Sequence, residues 1–299
     1  MTDSTNTRFA MSLPQQVPDG AFDPDAFRAY VRRVEDLGFH SVWTREGTLS
    51  PIPALGPVEI MTYAAACTQR LRIGCAVFVS VLRNPLHLAK SLSTLDQLSR
   101  GRLEVGFGLG AREGLAPFGV PAEGVVSRFT EGIELMKACW RDPKITFDGR
   151  FYQVEATMEP KTFQKPHPPI WIGGHKPAAI ARAVRYGDGF IGAGGATTAA
   201  FAEQVRTLRE ELEQAGRDPA SFGVAKRVYV SVGAQGRIEE QLRRMYGSAD
   251  VAVTGSPEEC VNGLREVIEA GAGLVLLDPM ADEPEQLELL AAEVLPELF

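Results

Sequence analysis

The stretch from Leu71 to Gly119 decides the fold class. It reads LRIGCAVFV (71–79), LRNPLHLAKSLSTLDQLS (82–99), GRLEVGFGLG (101–110) and AREGLAPFG (111–119). This order predicts a buried strand, an amphipathic helix, a second strand and a glycine-rich loop. Glycines directly after a strand let a ligand approach bare backbone at the strand's carboxyl end, where α/β folds keep their chemistry. The stretch therefore predicts a parallel βαβ unit and the position of a site.

Short strand-like runs alternate with helical patterns along the whole chain, which is typical of repeated βαβ units. The candidate strands cover residues 8–13, 40–44, 71–79, 102–107, 170–173, 189–193, 222–232 and 273–277. Because eight such units make the (β/α)8 barrel, we predict an α/β fold with a TIM-like (β/α)8 barrel. One domain of residues 1–299 is expected, with a short hairpin insertion after strand 4 at about 143–169. A short helix near 241–246 and an extra strand-like run at 250–254 are also predicted.

Composition and charge exclude several functional classes. With 44% hydrophobic and 23% charged residues, the chain resembles an ordinary globular protein. It has neither an apolar run of the roughly 20 residues that a membrane span needs nor a secretion signal, so we expect a cytoplasmic protein without membrane association. The net charge of −7 and the absence of a basic cluster argue against binding nucleic acid. The four scattered cysteines do not form a CxxC pattern, so no metal site is expected.

Three loops after strands four, five and six are rich in glycine: GFGLG, IGGHK and GAGGATT. In a barrel these loops share the catalytic rim, where backbone N–H groups can bind an anionic ligand. Each glycine could instead merely end a strand or cap a helix. Because three such loops meet on one rim, we predict cofactor contacts at Gly108, Gly110, Gly173, Gly174, His175, Gly192, Gly194 and Gly195.

Four segments carry a resemblance to a known family: GFHSVW (38–43), RNPLHLAKSLSTLDQLSRGRLEVGFGLG (83–110), FQKPHPPIWIGG (163–174) and ARAVRYGDGF (181–190). Together they resemble the bacterial luciferase-like oxidoreductases, which use reduced FMN or the deazaflavin coenzyme F420. The resemblance implies a TIM-like barrel with a flavin-type ring across its mouth, and hydride or oxygen chemistry on an organic substrate. It also implies a non-prolyl cis peptide at Ala76–Val77 that supports the ring.

Of the family's residues that transfer protons, this sequence matches some and lacks others. In SVWTREGT (41–48), Glu46 matches the family's acidic residue, but Gly47 replaces the histidine that often follows it. Ala111 stands where F420-dependent sugar-phosphate dehydrogenases place a glutamate, which argues against that activity. Glu46 and Glu113 remain as carboxylate candidates. Glu46 is expected either to contact the cofactor and act in catalysis or to be a solvated loop charge. Arg112 and Glu113 are candidate substrate contacts, with solvated side chains as the alternative.

Two further features bear on the cofactor and on the barrel interior. The loop GGHKP (173–177) lacks the hydroxyl groups that luciferase-type FMN sites use for the phosphate, which favours F420 over FMN, with His175 as a phosphate or ribityl contact. Lys226 and Arg227 are adjacent in an apolar strand, so alternation directs one of them into the barrel. That side chain is expected either to pair with a core carboxylate or to face a ligand.

The leading hypothesis is therefore an F420-dependent oxidoreductase that moves hydride to or from a small, fairly apolar organic substrate. A reduced-FMN monooxygenase that uses oxygen is one alternative, and a flavin-binding protein or inert subunit without turnover is another. The resemblance also implies a homodimer, for which we expect the helix at 85–99 to supply apolar surface.

Overall fold

The computed structural model describes residues 7–17, 20–49, 52–111, 114–233 and 237–298. Its strands are β1 (Arg8–Ser12), β2 (Ser41–Thr44), β3 (Arg72–Val79), β4 (Leu103–Gly108), β5 (Ile145–Asp148), β6 (Gln153–Ala156), β7 (Ile170–Gly174), β8 (Gly189–Gly192), β9 (Gly223–Val232), β10 (Ala252–Gly255) and β11 (Leu274–Asp278). Eight of them form a closed parallel barrel in the order β9-β11-β1-β2-β3-β4-β7-β8, with β8 pairing back to β9. The predicted (β/α)8 barrel is confirmed.

The helices fill the intervals between the strands. They are α1 (Pro24–Asp36), α2 (Pro57–Cys67), α3 (Pro85–Leu98), α4 (Val125–Arg141), α5 (Pro177–Tyr186), α6 (Thr198–Gln214), α7 (Arg237–Tyr246), α8 (Pro257–Glu269) and α9 (Glu283–Leu289). Pro85, Pro177 and Pro257 occupy first turns, where a missing N–H leaves no intrahelical bond unmade. Beyond α9 the helical path continues as a π-helical stretch, Leu290–Val294, and a 3₁₀ turn, Leu295–Leu298.

Two additions surround the barrel. Strands β5 and β6 form the expected antiparallel hairpin, which follows α4 and precedes β7. Strand β10 pairs in parallel with the upper half of β9, so β9 has three neighbours. That a single domain spans residues 1–299 stays a prediction. Among the described residues, no helix combines the length and apolar character that a membrane span requires.

Two tryptophans fill the barrel interior. The rings of Trp43 on β2 and Trp171 on β7 meet edge to face with centroids 6.1 Å apart. Glycines on neighbouring strands make room for them, because a Cβ on Gly74 would lie 2.5 Å from Trp43 and a Cβ on Gly189 or Gly223 would lie 2.4 Å from Trp171. The interior is a packed core rather than a pore, so a ligand can bind only at an end of the barrel.

A buried carboxylate ties these tryptophans to the amino-terminal end of the barrel. Glu104 accepts a hydrogen bond of 2.7 Å from the indole N–H of Trp171 and one of 2.6 Å from Nε of Arg72. A buried charge is tolerated when it is paired and hydrogen-bonded in this way. Arg72 and Trp171 hold Glu104 in the packed interior of the barrel. We therefore expect the chemistry at the other, carboxyl-terminal end of the barrel.

We predict that Gly189→Ala lowers the free energy of unfolding by about 1–3 kcal/mol, because the new methyl group overlaps the Trp171 ring in a packed core. Urea denaturation of the purified protein measures the change. Gly114→Ala is the matched control, since no atom lies within 4 Å of the position that its methyl group would take. Equal stability of the two variants would contradict the packing role of Gly189.

Candidate functional site

A cavity of about 1020 Å³ opens at the carboxyl-terminal end of the barrel. Ten of the eleven predicted cofactor contacts line it: Glu46, Ala76, Val77, Gly108, Gly110, Gly173, Gly174, His175, Gly192 and Gly194. Gly195 is not among the lining residues and packs against the ring of Tyr246. Arg112 and Glu113 lie outside the described residues. The sequence thus located the cavity, while the contacts of its residues differ from expectation.

The floor of the cavity is apolar because Val77 covers it. The Ala76–Val77 peptide is cis, as expected, and the pairing of β3 with β4 shifts register between Cys75 and Phe78. Ala76 and Val77 pack on the apolar cluster that contains both interior tryptophans. The floor therefore offers a hydrocarbon surface continuous with the barrel core.

The glycines around this floor serve packing more than direct ligand approach. A Cβ on Gly108 would lie 2.5 Å from Val77 Cγ2, and one on Gly173 would lie 2.6 Å from Val77 Cγ1. A Cβ on Gly174 would likewise lie 2.5 Å from that of Ala179 on α5. Neighbouring side chains thus occupy the space that a Cβ at these positions would take, and contact of these glycines with a cofactor stays a prediction.

Aromatic rings also fill the space beside two glycines of the loop between β8 and α6. A Cβ on Gly192 would meet the Phe201 ring at 2.5 Å, and one on Gly195 would meet the Tyr246 ring at 2.6 Å. Close packing of aromatic rings thus requires glycine at both positions. The loop follows the wall of the cavity because these rings hold it there.

A buried ion pair stands beside the floor. Arg227 projects into the barrel, where Nη1 lies 2.5 Å from Asp278 Oδ2 and Nη2 donates to the Ala76 carbonyl at 3.0 Å. Arg45 Nη1 lies 3.6 Å from the same Asp278 oxygen. The two alternatives left open for the inward-facing residue of β9 both hold in part, since Arg227 pairs with a carboxylate and also lines the cavity.

The neighbouring Lys226 points to the other face of β9 and is buried without a carboxylate partner in the described part of the chain. Its Nζ donates to the carbonyls of Ala193 at 2.9 Å and Ala196 at 2.7 Å, and it lies 5.9 Å from the centroid of the Phe201 ring. Burial, with a smaller contribution from Arg227, lowers the pKa of Lys226 to about 7. Lys226 therefore holds the β8–α6 loop through two of its backbone carbonyls, on the face of β9 opposite to Arg227.

Glu46 lines the cavity and is not a solvated loop charge, whereas its contact with a coenzyme and its catalytic role stay predictions. Its carboxylate accepts hydrogen bonds from Nη2 and Nε of Arg83 at 3.0 and 3.2 Å and from the Thr48 hydroxyl at 2.6 Å. The side chain is only 5% exposed, so it is not a solvated loop charge. It lines the cavity, but its oxygens are held by Arg83 and Thr48, which makes it a rim support.

Sequence reasoning missed several residues of the cavity wall. Arg182 on α5 is half-buried and lines the cavity, and within the described part of the chain its guanidinium has no hydrogen bond or ion pair. Burial lowers its pKa. The spacing of Ala179 and Arg182 on one helix face was the available signal. Tyr229, two residues beyond Arg227 and so on the same face of β9, donates to or accepts from Tyr246 across 2.7 Å between the hydroxyls.

Comparisons with known proteins agree with this architecture. A family model described as luciferase-like monooxygenase matches residues 4–250. The F420-dependent glucose-6-phosphate dehydrogenase of Beutenbergia cavernae is 29% identical over 93% of this chain and 94% of its own length. A phthiodiolone/phenolphthiodiolone dimycocerosates ketoreductase of Mycobacterium sp. (strain JLS) is 29% identical over 68% of this chain, which spans about half (54%) of that relative.

Two solved structures share the fold. The monooxygenase RslO1 from Streptomyces bottropensis superposes with a TM-score of 0.83 at 22% identity, over 98% of this chain and all of its own. An F420-dependent secondary alcohol dehydrogenase in complex with an F420–acetone adduct superposes with a TM-score of 0.81 at 19% identity, over 99% and 100%. At these identities the likeness establishes the barrel and nothing finer.

The lowered pKa of Lys226 predicts a pH-dependent stability. A lysine in the unfolded chain keeps a pKa near 10.5, so between pH 7 and 10.5 the folded protein binds fewer protons at this site than the unfolded chain. The free energy of unfolding should therefore rise with pH across this window, by up to about 1.4 kcal/mol per unit, relative to a Lys226→Met variant. Urea denaturation at pH 7, 8 and 9 tests this, with Lys176→Met, an exposed lysine, as the control. A constant difference between wild type and Lys226→Met across these pH values would refute it.

Proposed function

Because the chain belongs to the luciferase-like monooxygenase family, we propose that it is a coenzyme F420-dependent oxidoreductase that moves a hydride to or from a small, fairly apolar organic substrate. One observation carries this proposal. The cavity of about 1020 Å³ combines an apolar floor with a half-buried Arg182 in its wall, which has no partner among the described residues. Its volume is at the upper end of the roughly 300–1,000 Å³ of ordinary ligand sites, which leaves room for a coenzyme and a substrate together.

The residues of the cavity fit a flavin-type coenzyme. A planar aromatic ring needs an apolar support, which Ala76, Val77 and Ile191 offer. An anionic tail needs cations and free N–H groups. Arg182, Lys176 and the start of α5, which has no side-chain cap, offer these on one side of the cavity. Among the contacts predicted from sequence, Gly174 and His175 belong to this same side.

Once bound, the deazaflavin would supply the hydride chemistry, and the residues of this chain would position it and control its surroundings. Arg227, held by Asp278 and the Ala76 carbonyl, places a fixed positive charge at the edge of the floor. Such a preorganised charge favours the form of a coenzyme that carries the additional electron pair. Val77 would give the ring an apolar support that excludes water, and the Glu46–Arg83 pair holds the rim after β2 in place.

Two lines of support favour F420 over FMN. A relative that matches nearly the full chain is named for F420 dependence, and the loop after β7 lacks the hydroxyl groups that luciferase-type FMN sites use. The description of the family as monooxygenases makes a reduced-FMN monooxygenase the second candidate. Oxygen consumption with reduced FMN would distinguish the second candidate from the first.

The substrate is proposed to differ from a sugar phosphate. Gly47 and Ala111 both line the cavity. Gly47 stands where the family often has a histidine, and Ala111 stands where sugar-phosphate dehydrogenases have a glutamate, so neither position carries a titratable side chain here. The remaining acid of that rim, Glu46, is bound to Arg83. A proton must therefore come from another group of the wall or from water.

Fluorescence titration with F420 and with FMN tests the coenzyme assignment. We expect saturable binding of F420 that is tighter than that of FMN, and about tenfold weaker binding of F420 to Arg182→Ala, because a charge-assisted hydrogen bond to the anionic tail is lost. Arg185→Ala is the matched control, since Arg185 lies on the same helix, stacks on Tyr186 and does not line the cavity. Failure of both coenzymes to bind would exclude the proposal, and tighter binding of FMN would favour the monooxygenase.

We also propose that the protein is a homodimer. The sequence predicted that α3 supplies apolar surface for the dimer. In the structure the exposed face of α3 is polar except for Leu98, so α3 gives little support for a dimer interface. Light scattering of the purified protein should give about twice the 32.4 kDa of one chain. A single-chain mass at micromolar concentration would contradict this expectation.

A further inference from the structure

Large hydrophobic side chains that are exposed to water concentrate around one opening. The described part of the chain exposes seven such side chains, and five of them line the cavity at the barrel end. We name these five the apolar collar: Leu49, Ile52, Val126, Met245 and Tyr246. Their exposed fractions run from 36% for Ile52 to 66% for Leu49. Grouped exposed hydrophobic residues of this kind mark a binding site, whereas isolated ones do not.

The collar is assembled from three separate parts of the chain. Leu49 and Ile52 follow β2, Val126 lies in the first turn of α4, and Met245 and Tyr246 end α7. Their exposure is not a property of one helix or strand face, because three segments bring these side chains together at the opening of the cavity. Below them the buried side chains of Leu115 and Phe129, together with Ile172, continue the apolar lining toward the floor.

Two tyrosine hydroxyls lie in this wall, in addition to the side-chain amide of Gln241 on α7. The hydroxyls of Tyr246 and Tyr229 lie 2.7 Å apart, and their rings are 5.8 Å apart at the centroids. Tyr229 is buried, and burial raises its pKa, so it stays protonated. Two hydroxyls that share one hydrogen bond keep a second proton, which either can donate to a third oxygen. Of the two, Tyr246 is the one exposed at the mouth.

The charged side chains that line the cavity do not belong to the collar. Lys176 and Arg182 belong to the side after β7, and Arg45 and Arg227 stand near the floor beside Asp278. Glu46, three residues before Leu49, is paired with Arg83. None of the five collar side chains carries a charge. An anionic substrate placed against the collar would lose hydration without gaining a counter-ion there, which is costly.

From this arrangement we infer that the collar binds an uncharged, mainly hydrocarbon substrate with a single oxygen function, such as an aliphatic ketone or alcohol. The Tyr246 hydroxyl donates a hydrogen bond to that oxygen. The inference rests on the proposed function, because the coenzyme is assigned to the floor and to the cationic side of the same cavity. It adds the substrate class, which the coenzyme assignment does not supply.

Isothermal titration with a homologous series measures this class directly. The probes are 2-butanone, 2-heptanone, 2-decanone and decanoate, added to the full-length protein with and without F420. Burial of each methylene should tighten binding by about two- to fourfold, so 2-decanone, with six more methylenes, should bind at least about 60-fold more tightly than 2-butanone. Decanoate should bind more weakly than 2-decanone. Affinity independent of chain length, or a preference for decanoate, overturns the inference.

Variants assign the effect to the collar. Leu49→Ser combined with Met245→Ser should weaken the binding of 2-decanone at least about tenfold, whereas Leu98→Ser, which removes an equally exposed leucine from α3, should leave it unchanged. Tyr246→Phe keeps the ring and should weaken 2-decanone about three- to tenfold. Equal effects of the collar and Leu98 variants overturn the assignment. It is also overturned if the collar variant separates a dimer into single chains while ketone binding stays the same.

These outcomes separate the two proposals. Binding of F420 without any dependence on ketone length leaves the proposed function intact and removes the inferred substrate class. The opposite outcome is also informative: the protein binds neither F420 nor FMN, but its ketone binding depends on chain length. In that case the collar stands as a site for apolar ligands and the coenzyme assignment fails.

Discussion

The edge-to-face contact of Trp43 with Trp171 is the constraint on which the rest of the structure depends. Two large rings inside an eight-stranded barrel leave no room for other side chains on the neighbouring strands, so Gly74, Gly189 and Gly223 become obligatory. The filled interior closes the barrel below the level of Val77 and gives that residue a surface to rest on. A ligand of the barrel is thereby directed to the loops at the carboxyl-terminal end, where the large cavity opens.

A large part of the fold could be predicted from the sequence, because strand and helix periodicities are local. The eight barrel strands, the proline-initiated helices and the hairpin all follow from patterns within about fifteen residues. The cis peptide at Ala76–Val77 was foreseen only through the family resemblance. Contacts between distant residues were beyond such reasoning. Glu46 is 37 residues from Arg83, and Arg227 is 51 residues from Asp278, and no local pattern indicates either pair.

The glycine-rich loops illustrate the same limit. Their position on the rim was predictable, since they follow strands, but the reason for each glycine was not. Gly108 and Gly173 are small because Val77 lies between them, and Gly192 is small because Phe201 packs against it. A sequence reports that a side chain is missing at a position without reporting what fills the space. The position of these glycines after strands was enough to locate the cavity, whereas the side chains that pack against them were not predictable from sequence.

Strand β9 connects the parts of the site more directly than any other element. Its side chains alternate between Arg227 and Tyr229 toward the cavity and Lys226 toward the β8–α6 loop, and its backbone pairs with three strands at once. A substitution here would disturb the cavity wall at Arg227 or Tyr229, or the β8–α6 loop at Lys226. Directed evolution toward new substrates should therefore leave β9 constant and diversify positions 49, 52, 126 and 245. These collar positions are on the surface and come from three segments outside the barrel strands, so the fold keeps its evolvable positions apart from those that maintain the barrel.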